Sequence, residues 1–320
     1  MKLKMMYSFL STDLAIIEKE LEETVQAEHP LLRQAGVELL QAGGKRLRPV
    51  FVLLAGKFGD YDIDKIKNVA VALEIIHMAS LVHDDVIDDA ELRRGRQTIK
   101  SKYDNKVAMY TGDFLFARAL ELMTKLQDAK AHKLLSHTMV ELCIGEIEQI
   151  KDKYDFDQNL RTYLRRIKRK TALLIAVSCQ LGAIAANVSE DIQKKLYLFG
   201  YYVGMSFQIT DDILDFTATE EQLGKPAGSD LLQGNITLPV LIAIRDSQLR
   251  EQIVGVSSHS SVTDIKPIIE LVKSSNAIDK SFELSNLYLQ KAFDILDDVP
   301  NNKTKTAFHN IARFIGKRKF

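Results

Sequence analysis

The apolar positions along this chain recur with helical spacing, and long segments carry no helix-breaking residue. The chain contains six prolines, and none of them lies between Phe51 and Lys225. Residues 63–85 become apolar on nearly all sides after their first turns, which is typical of a helix buried inside a bundle. No segment shows the alternating pattern of a strand. Three further segments read as long helices: residues 134–150, 163–186 and 192–216.

The predicted loops are few. Residues 103–113 read as a short link, and residues 217–235 read as a longer loop because glycines and Pro226 interrupt the helical pattern. The C-terminal third reads as shorter helices followed by a basic tail, Lys317–Lys319. We see no short-period repeat and no low-complexity linker. The pattern therefore predicts an all-α fold, a single domain over residues 1–320 built as a large helical bundle.

Charge and composition narrow the range of partners. Lysine plus arginine and aspartate plus glutamate both number 43, so the formal net charge is zero and nothing favours nucleic acid or a membrane surface. The N-terminus lacks the apolar core of a signal peptide, and no apolar run is long enough for a transmembrane helix. Cys143 and Cys179 read as core residues in a reduced compartment. These observations predict a cytoplasmic protein.

Two acidic motifs stand out against the apolar helices. The first motif has the spacing DDxxD and lies at the end of the apolar segment that begins at Ile63. It consists of Asp84, Asp85 and Asp88. The same spacing recurs at the end of another apolar segment, in Asp211, Asp212 and Asp215. Residues four apart share a helix face, so each motif is predicted to point two carboxylates in the same direction.

Paired carboxylates favour a hard cation. Like charges one turn apart destabilise a helix unless a cation lies between them, and acids at a helix C-terminus also oppose the helix dipole. Magnesium takes one or two carboxylates and completes its octahedron with water and substrate phosphate. The two motifs therefore predict a site for Mg²⁺ and a diphosphate. Glu74 and His77 form an ExxH pair with the spacing of di-iron ligands, but it is the single such pair in the chain and two are needed.

Cations accompany these acids along the chain. The sequence GGKRLRP places Lys45, Arg46 and Arg48 between two glycines and a proline at a helix start, which suits a phosphate clamp or a solvated turn. Arg93 and Arg94 directly follow the first acidic motif. Six cations lie between Arg161 and Lys170, and most of them read as a solvated helix face. Lys170 and Thr171 stand where that segment turns apolar, so they are candidates for an inward role.

Taken as an ordered set, these residues resemble the trans-isoprenyl diphosphate synthases. The resemblance covers nearly the whole chain. It rests on GGKRLRP, His77, the first DDxxD with RRGRQT, GDFL at Gly112–Leu115, Lys170–Thr171, QITDDILD with Gln208, LGKPAGSDL and TLP. Within the family, the sequence resembles the large catalytic subunits of two-component bacterial enzymes. One departure is Asn235, where many members carry a lysine.

The resemblance implies an all-helical fold with a deep central cavity and a Mg²⁺-dependent head-to-tail condensation. An allylic diphosphate, expected to be farnesyl diphosphate, ionises and isopentenyl diphosphate attacks the cation. Three Mg²⁺ per active site are expected, held by Asp84, Asp88 and Asp211. The supporting acids would be Asp85, Asp212 and Asp215. The isopentenyl diphosphate ligands would be Lys45, Arg48, His77 and Arg94. The ligands of the allylic or leaving diphosphate would be Arg93, Lys170, Thr171, Gln208 and Lys225.

The same resemblance implies a product and a partner. The expected product is heptaprenyl diphosphate for a menaquinone side chain, with hexaprenyl, octaprenyl or geranylgeranyl diphosphate as alternatives. The expected assembly is a heterodimer with a small non-catalytic subunit, or otherwise a homodimer. A terpene cyclase uses similar paired acids but does not need a second cationic clamp. An inactive helical partner subunit would not need intact acids in both motifs.

Small residues before the first motif bear on product length. Side chains on a helix lean toward its N-terminus, so the surface below Asp84 belongs to the preceding turns. Ser80, Ala79 and Ile76 occupy those turns. In relatives that make short products, large aromatics near these positions close the cavity floor. The small side chains here therefore predict a long-chain product.

Overall fold

A computed structural model describes residues 3–223 and 226–316. The long and medium α-helices are α1 (Ser11–Thr24), α2 (Pro30–Gln41), α3 (Leu47–Gly56), α4 (Ile63–Ile87), α6 (Asn105–Met123), α7 (Ala129–Lys151), α8 (Leu160–Ile167), α9 (Leu173–Ala185), α10 (Glu190–Thr217), α15 (Val262–Ser274), α16 (Ala277–Asp297) and α17 (Lys303–Gly316). The shorter ones are α5 (Ile99–Lys102), α11 (Glu220–Leu223), α12 (Ser229–Leu232), α13 (Leu238–Ala243) and α14 (Ser247–Ile253). A 3₁₀ segment spans Leu3–Leu10, a π-helical segment spans Lys168–Ala172, and two strands are β1 (Leu92–Arg93) and β2 (Arg96–Gln97).

The all-α prediction is confirmed, and the exception is small. Strands β1 and β2 pair as an antiparallel hairpin of two residues each, with Arg93 opposite Arg96. Arg94 and Gly95 have φ values of 54° and 74°, which is the backbone conformation of a tight two-residue hairpin turn. This element is too short to leave an alternating pattern in the sequence.

Two local predictions are wrong. Residues 103–113 are not a link, because α6 begins at Asn105. The side chain of Asp104 caps this helix by accepting a 2.7 Å hydrogen bond from the Val107 N–H. Residues 163–186 are not one regular α-helix, because the π-helical segment separates α8 from α9. A π segment inserts an extra residue into a helix and is frequent at functional sites.

The chain divides into two compact units. Unit 1 comprises Met1–Leu135, Val177–Tyr197 and Val299–Phe308. Unit 2 comprises Ser136–Ala176, Leu198–Asp298 and His309–Phe320. The first acidic motif and the GGKRLRP segment belong to unit 1. The second acidic motif and Lys170–Thr171 belong to unit 2.

Helix α4 is the central element of unit 1. Asp62 caps its N-terminus by accepting a hydrogen bond from the Asp64 N–H, and from Val69 to Ile76 every residue is buried. It packs against α1, α3 and α6. The helix ends at Ile87, and Asp89 follows in the left-handed region with φ 51°. Burial of a nearly all-apolar helix therefore places its polar end, with the first acidic motif, at the edge of the core.

Unit 2 has a core of its own. Tyr163, Phe216 and Leu231 are fully buried there, together with aliphatic side chains of α10, α13 and α15. Among the helices of the described ranges, none combines the length and the apolar character needed to cross a bilayer. The basic tail that the sequence predicts, Lys317–Lys319, lies outside the described residues.

Candidate functional site

The first acidic motif lies at the C-terminal end of α4 in unit 1. The Asp88 N–H donates a 2.8 Å hydrogen bond to the Asp84 carbonyl, so helical geometry continues through the motif. Asp84 and Asp88 therefore share one helix face, as predicted. Asp84 is 9% exposed, and Asp88 is partly buried. Two carboxylates in this arrangement are a donor set that suits Mg²⁺.

Asp85 has a different partner. Both the Nε and the Nη2 atoms of Arg93 contact its Oδ1 atom, at 2.7 and 2.6 Å. Burial raises the pKa of Asp85, and the charge and hydrogen bond of Arg93 act in the opposite direction. Because Arg93 is in strand β1, this ion pair ties the hairpin to the end of α4. Asp85 therefore holds Arg93 in place.

A cavity of about 260 Å³ opens beside this ion pair within unit 1. Its lining is rich in charged groups. The cations are Arg46, Arg93, Arg94, Arg96 and Lys102, and the acids are Glu38, Glu74 and Asp85. His77 also lines it. A cavity with more cations than acids is a plausible receptor for an anion with several charged oxygens.

The surroundings of His77 disfavour its protonated form. Burial first, and then the positive charges of Arg48, Arg94, Arg93 and Arg46, lower its pKa well below 6.5. A neutral imidazole can donate a hydrogen bond from one ring nitrogen without adding charge. His77 thus lies where the charges of four arginines converge.

The predicted clamp is only partly placed at this cavity. Arg94 lines it, whereas Lys45 is exposed and is not part of its lining. Burial and the charge of Arg94 lower the pKa of Arg48 to about 10, although the charge of Glu74 opposes that shift. The Arg48 Nε atom is buried without a hydrogen-bond partner among the described residues. A buried guanidinium donor with no protein acceptor is suited to a ligand oxygen.

Arg46, one of the three cations of the GGKRLRP segment, lines the cavity. Its backbone has φ 49°, a left-handed conformation that is unusual for a bulky residue. Its Nε atom lies 2.8 Å from Glu18 Oε1, and its Nη1 atom lies 3.3 Å from Glu74 Oε1. A Cβ atom on Gly44 would stand 2.9 Å from Arg94 Nη1 and 3.3 Å from Arg46 Nη1. Gly44 therefore leaves room for two guanidinium groups to approach the backbone together.

The contact with Arg46 also settles the ExxH pair. Glu74 holds an arginine, and the charges of four arginines reach His77. A di-iron site would need both side chains free to face metal, so the pair belongs to the cationic cavity.

The second acidic motif lies in unit 2 and is divided among three roles. Asp211 is partly buried on α10. Asp212 is buried and accepts hydrogen bonds from Tyr163 Oη at 2.7 Å and Gln208 Nε2 at 2.8 Å. Burial, followed by the charge of Asp230, raises the pKa of Asp212 to about 7. Asp212 is therefore an internal hydrogen-bond acceptor.

Asp215 organises the loop that follows. It is 1% exposed and accepts hydrogen bonds from the Ser229 hydroxyl at 3.0 Å and the Asp230 N–H at 3.2 Å. Its carbonyl accepts from the Gly228 N–H. The predicted site residue Lys225 belongs to this loop but lies outside the described residues. Asp215 thus fixes the segment that returns toward α12.

The π-helical segment carries the next predicted pair. Lys170 Nζ donates a 2.9 Å hydrogen bond to Gln149 Oε1, and Thr171 Oγ1 donates a 2.6 Å bond to Gln208 Oε1. Gln208 in turn donates to Asp212. The structure therefore brings Thr171, Gln208 and Asp212 into one hydrogen-bonded chain, which ends at Tyr163. Gln149 and Tyr163 were not identified from the sequence, because their roles depend on contacts between distant helices.

The other cations of this segment are not mostly solvated. Arg166 is buried, donates to Gln158 Oε1 at 2.9 Å and also donates to the Ile236 carbonyl. Arg169 binds Glu141 and Glu148 of α7. These cations hold the π segment against its neighbours in unit 2. Downstream, Asn235 Oδ1 and Thr237 Oγ1 are buried without a hydrogen-bond partner in the described part of the chain.

The residues proposed to set product length lie on α4. Ile76 and Ala79 are fully buried, and the Ser80 hydroxyl donates a 2.9 Å hydrogen bond to the His77 carbonyl. Ile76, Ser80 and Asp84 are spaced four apart and form one row along the helix. Within residues 3–223 and 226–316, no three His, Cys, Asp or Glu side chains form a ready-made metal cluster. The acidic motifs thus offer paired carboxylates, to which water and phosphate would add ligands.

The chain is similar to known proteins over its whole length. The polyprenyl synthetase family model matches residues 29–272. Heptaprenyl diphosphate synthase component 2 of Bacillus subtilis is 64% identical over 320 residues, covering all of this chain and 92% of that protein. The crystal structure of heptaprenyl diphosphate synthase from Staphylococcus aureus matches with a TM-score of 0.93 and 41% identity, over 97% of this chain and 98% of that one. A Caulobacter crescentus polyprenyl synthase complexed with calcium and isoprenyl diphosphate matches with a TM-score of 0.93 and 32% identity, over 99% and 98%.

Proposed function

The chain belongs to the polyprenyl synthetase family and is a prenyltransferase, and from this premise we propose that it makes heptaprenyl diphosphate. The reaction is the head-to-tail condensation of isopentenyl diphosphate onto an allylic diphosphate, with farnesyl diphosphate as the primer. The observation that supports it most is the cationic cavity around His77, which lies beside the first acidic motif. A condensing enzyme must hold two diphosphates, and this cavity supplies a receptor for the second.

The first acidic motif and Asp211 are assigned to metal. Asp84, Asp88 and Asp211 would hold Mg²⁺, with three ions per active site, and a divalent cation is in keeping with the Caulobacter relative, which is complexed with calcium and isoprenyl diphosphate. Bound there, Mg²⁺ would stabilise the charge that develops on the leaving diphosphate. Asp85 keeps Arg93 oriented toward the same group. Asp212 and Asp215 support α10 and the loop behind it.

The cations divide between two substrates. Arg48, Arg94 and neutral His77 bind isopentenyl diphosphate, and Lys45 approaches it from the exposed rim. Arg93, Lys170, Thr171, Gln208 and Lys225 bind the allylic diphosphate or the leaving pyrophosphate. Cations fixed by ion pairs and hydrogen bonds before substrate arrives do not have to reorganise during the reaction, so they stabilise the developing charge efficiently. Apolar helix walls exclude water from the allylic cation.

Product length and cellular role complete the proposal. The small side chains of Ala79 and Ser80 permit a long product, and the heptaprenyl names of the Bacillus and Staphylococcus relatives support seven units. The chain would serve a menaquinone side chain in the cytoplasm. The deep cavity for the growing chain stays a prediction.

The partner is assigned to an exposed face of α7. The name of the Bacillus relative, component 2, implies another component. Helix α7 exposes an apolar stripe that consists of Val140, Cys143, Ile144, Ile147 and Ile150. Cys143 is exposed, so the prediction that it is a core residue is wrong. Cys179 is buried, as predicted. We assign the α7 stripe to a smaller, non-catalytic helical subunit. Its spacing of three and four residues suits an apolar helix face on the partner.

Product analysis tests the function. The full chain is incubated with Mg²⁺ and farnesyl diphosphate, with and without isopentenyl diphosphate, and with and without the candidate small subunit. We expect farnesyl diphosphate to be stable alone, and heptaprenyl diphosphate to be the main product by mass once isopentenyl diphosphate is added. Consumption of farnesyl diphosphate alone would indicate a cyclase. A different chain length would refute the heptaprenyl assignment.

A further inference from the structure

Glu74 is a buried carboxylate inside the cationic cavity. It is 3% exposed, it lies on α4 three residues before His77, and it lines the cavity with Arg46 and Arg94. An anion receptor gains nothing from a negative charge by simple attraction, because that charge repels the ligand. Burying a carboxylate is also costly unless it is paired. The position of Glu74 in the cavity therefore indicates a role other than direct attraction of the ligand.

The two oxygens of Glu74 are in different situations. Oε1 lies 3.3 Å from Arg46 Nη1. Oε2 is buried and has no hydrogen-bond partner among the described residues. Arg46 itself is fixed at three points, since it also binds Glu18 and donates to the Leu40 carbonyl at 3.2 Å. Glu74 thus offers one engaged oxygen and one buried oxygen that can still accept a hydrogen bond.

The electrostatics agree with this geometry. Burial lowers the pKa of Arg48 and of Arg94, and the charge of Glu74 opposes that fall in both. For Arg46, burial also acts downward, but the hydrogen bonds and charges of Glu18 and Glu74 outweigh it and raise the pKa. One carboxylate therefore offsets the mutual repulsion of three guanidinium groups that must stay close together.

We propose that Glu74 is a positioning residue for the second diphosphate: it anchors Arg46 and arranges Arg48 and Arg94 so that their donors face isopentenyl diphosphate. This inference rests on the proposed function and names the device that shapes its non-allylic site. Groups behind the primary ligands orient them, and their loss typically weakens binding by about tenfold to a hundredfold. Removing the charge of Glu74 should weaken the binding of isopentenyl diphosphate if Glu74 positions the arginines. It should strengthen that binding if Glu74 acts only as a repelling charge.

The test is the isosteric substitution Glu74→Gln in the full chain. If charge alone mattered, removing it would tighten the binding of isopentenyl diphosphate. If Glu74 positions the arginines, we expect binding to weaken by about tenfold or more in calorimetric titration without allylic substrate. In turnover, the KM for isopentenyl diphosphate should rise by a similar factor, while the KM for the allylic diphosphate changes little. Unchanged or tighter binding would overturn the proposal.

Two further variants keep the test decisive. Glu20→Gln is the matched control, because Glu20 is a partly buried carboxylate of unit 1 that pairs with Lys67 and does not line the cavity, and it should leave the affinity near that of the wild type. Glu74→Asp keeps the charge on a shorter side chain. If Glu74→Gln does not fold by circular dichroism, Glu74→Asp still decides, because wild-type affinity in that folded variant would overturn the proposal. If the wild-type chain does not bind isopentenyl diphosphate, the proposed function itself fails.

Discussion

The hydroxyl group of Tyr163 donates a 2.7 Å hydrogen bond to Asp212, and both side chains are buried in unit 2. Asp212 also accepts from Gln208, which accepts from Thr171. A residue of the second acidic motif is thereby linked to a proposed substrate ligand through a single glutamine. The Tyr163–Asp212 pair thus helps to hold the Gln208 side chain in place through the hydrogen bond from Gln208 to Asp212. The protonation state of Asp212 affects the strength of that hydrogen bond.

This pair predicts a pH dependence of stability. The pKa of Asp212 is about 7 in the folded chain, against about 3.9 in an unfolded one. Between these values the folded state holds a proton that the unfolded state has released. The contribution of Asp212 to the free energy of unfolding is therefore fully present below about pH 4, and it is lost as the pH rises through about 7.

The substitution Asp212→Asn should remove that dependence. The wild type should lose roughly 2–3 kcal/mol of unfolding free energy at this group between about pH 5 and pH 7, and the variant should not. Urea unfolding at both pH values measures the difference. Tyr163→Phe is the companion variant, because it removes the donor while the carboxyl group still titrates. The same pH dependence in wild type and Asp212→Asn would show that Asp212 titrates normally.

Both acidic motifs are predicted to be required for turnover. Asp84→Ala and Asp211→Ala should each lower the rate of product formation by about two to three orders of magnitude, because removing one contact to a developing charge costs about 3–4 kcal/mol. Helix content by circular dichroism should stay that of the wild type. Asp89→Asn is the control, since Asp89 is exposed in the same acidic cluster and pairs with Lys100. Near-normal turnover of either alanine variant in Mg²⁺ would remove that motif from the site.

Substitutions below Asp84 should shorten the product. Ala79→Phe adds a ring on α4 and should stop growth at geranylgeranyl diphosphate, the product of a single condensation onto farnesyl diphosphate. Because Ala79 is fully buried, the ring overpacks its surroundings and a stability loss of about 1–3 kcal/mol is expected. Ser80→Phe is the comparison, as Ser80 is partly buried and shares a helix row with Asp84. Mass analysis of the products decides, and full-length product from both folded variants would place the channel elsewhere.

The α7 stripe is predicted to bind the partner. Ile147 is 67% exposed at its centre, so Ile147→Asp should weaken association at least tenfold, equivalent to about 1.4 kcal/mol, while the chain stays folded. Sedimentation with the small subunit measures it. Val254→Asp is the matched control, because Val254 is an exposed aliphatic residue of the same unit outside the stripe. Equal affinities of both variants would exclude this face.

The long helices and the two acidic motifs can be predicted from the sequence, because both follow from the spacing of residues close together in the chain. Helix α4 is predictable since its apolar positions extend around the helix and a capping aspartate begins it. The start of α6 was missed because asparagine, tyrosine and glycine around Asp104 suggest a loop, whereas a single cap hydrogen bond initiates the helix.

The spacing of residues along the chain cannot predict the role of a side chain when that role depends on tertiary contacts. Spacing cannot tell which aspartate of DDxxD turns inward, and Asp212 does so because Tyr163 lies opposite it. The π segment has no sequence period of its own and occurs where Arg169 is held by Glu141 and Glu148. Glu74 fitted a metal-ligand spacing but holds Arg46, a residue 28 positions away.

Helix α7 has two faces with different environments. On its outer side it exposes the α7 stripe, and on its other side Glu141 and Glu148 bind Arg169 while Gln149 holds Lys170. Ile150 of the stripe is adjacent in sequence to Gln149, so the helix cannot turn or slide under a docked subunit without displacing the lysine assigned to the leaving group. Under the proposed assignments, a subunit docked on the α7 stripe would therefore also hold Gln149 and, through it, Lys170 in place.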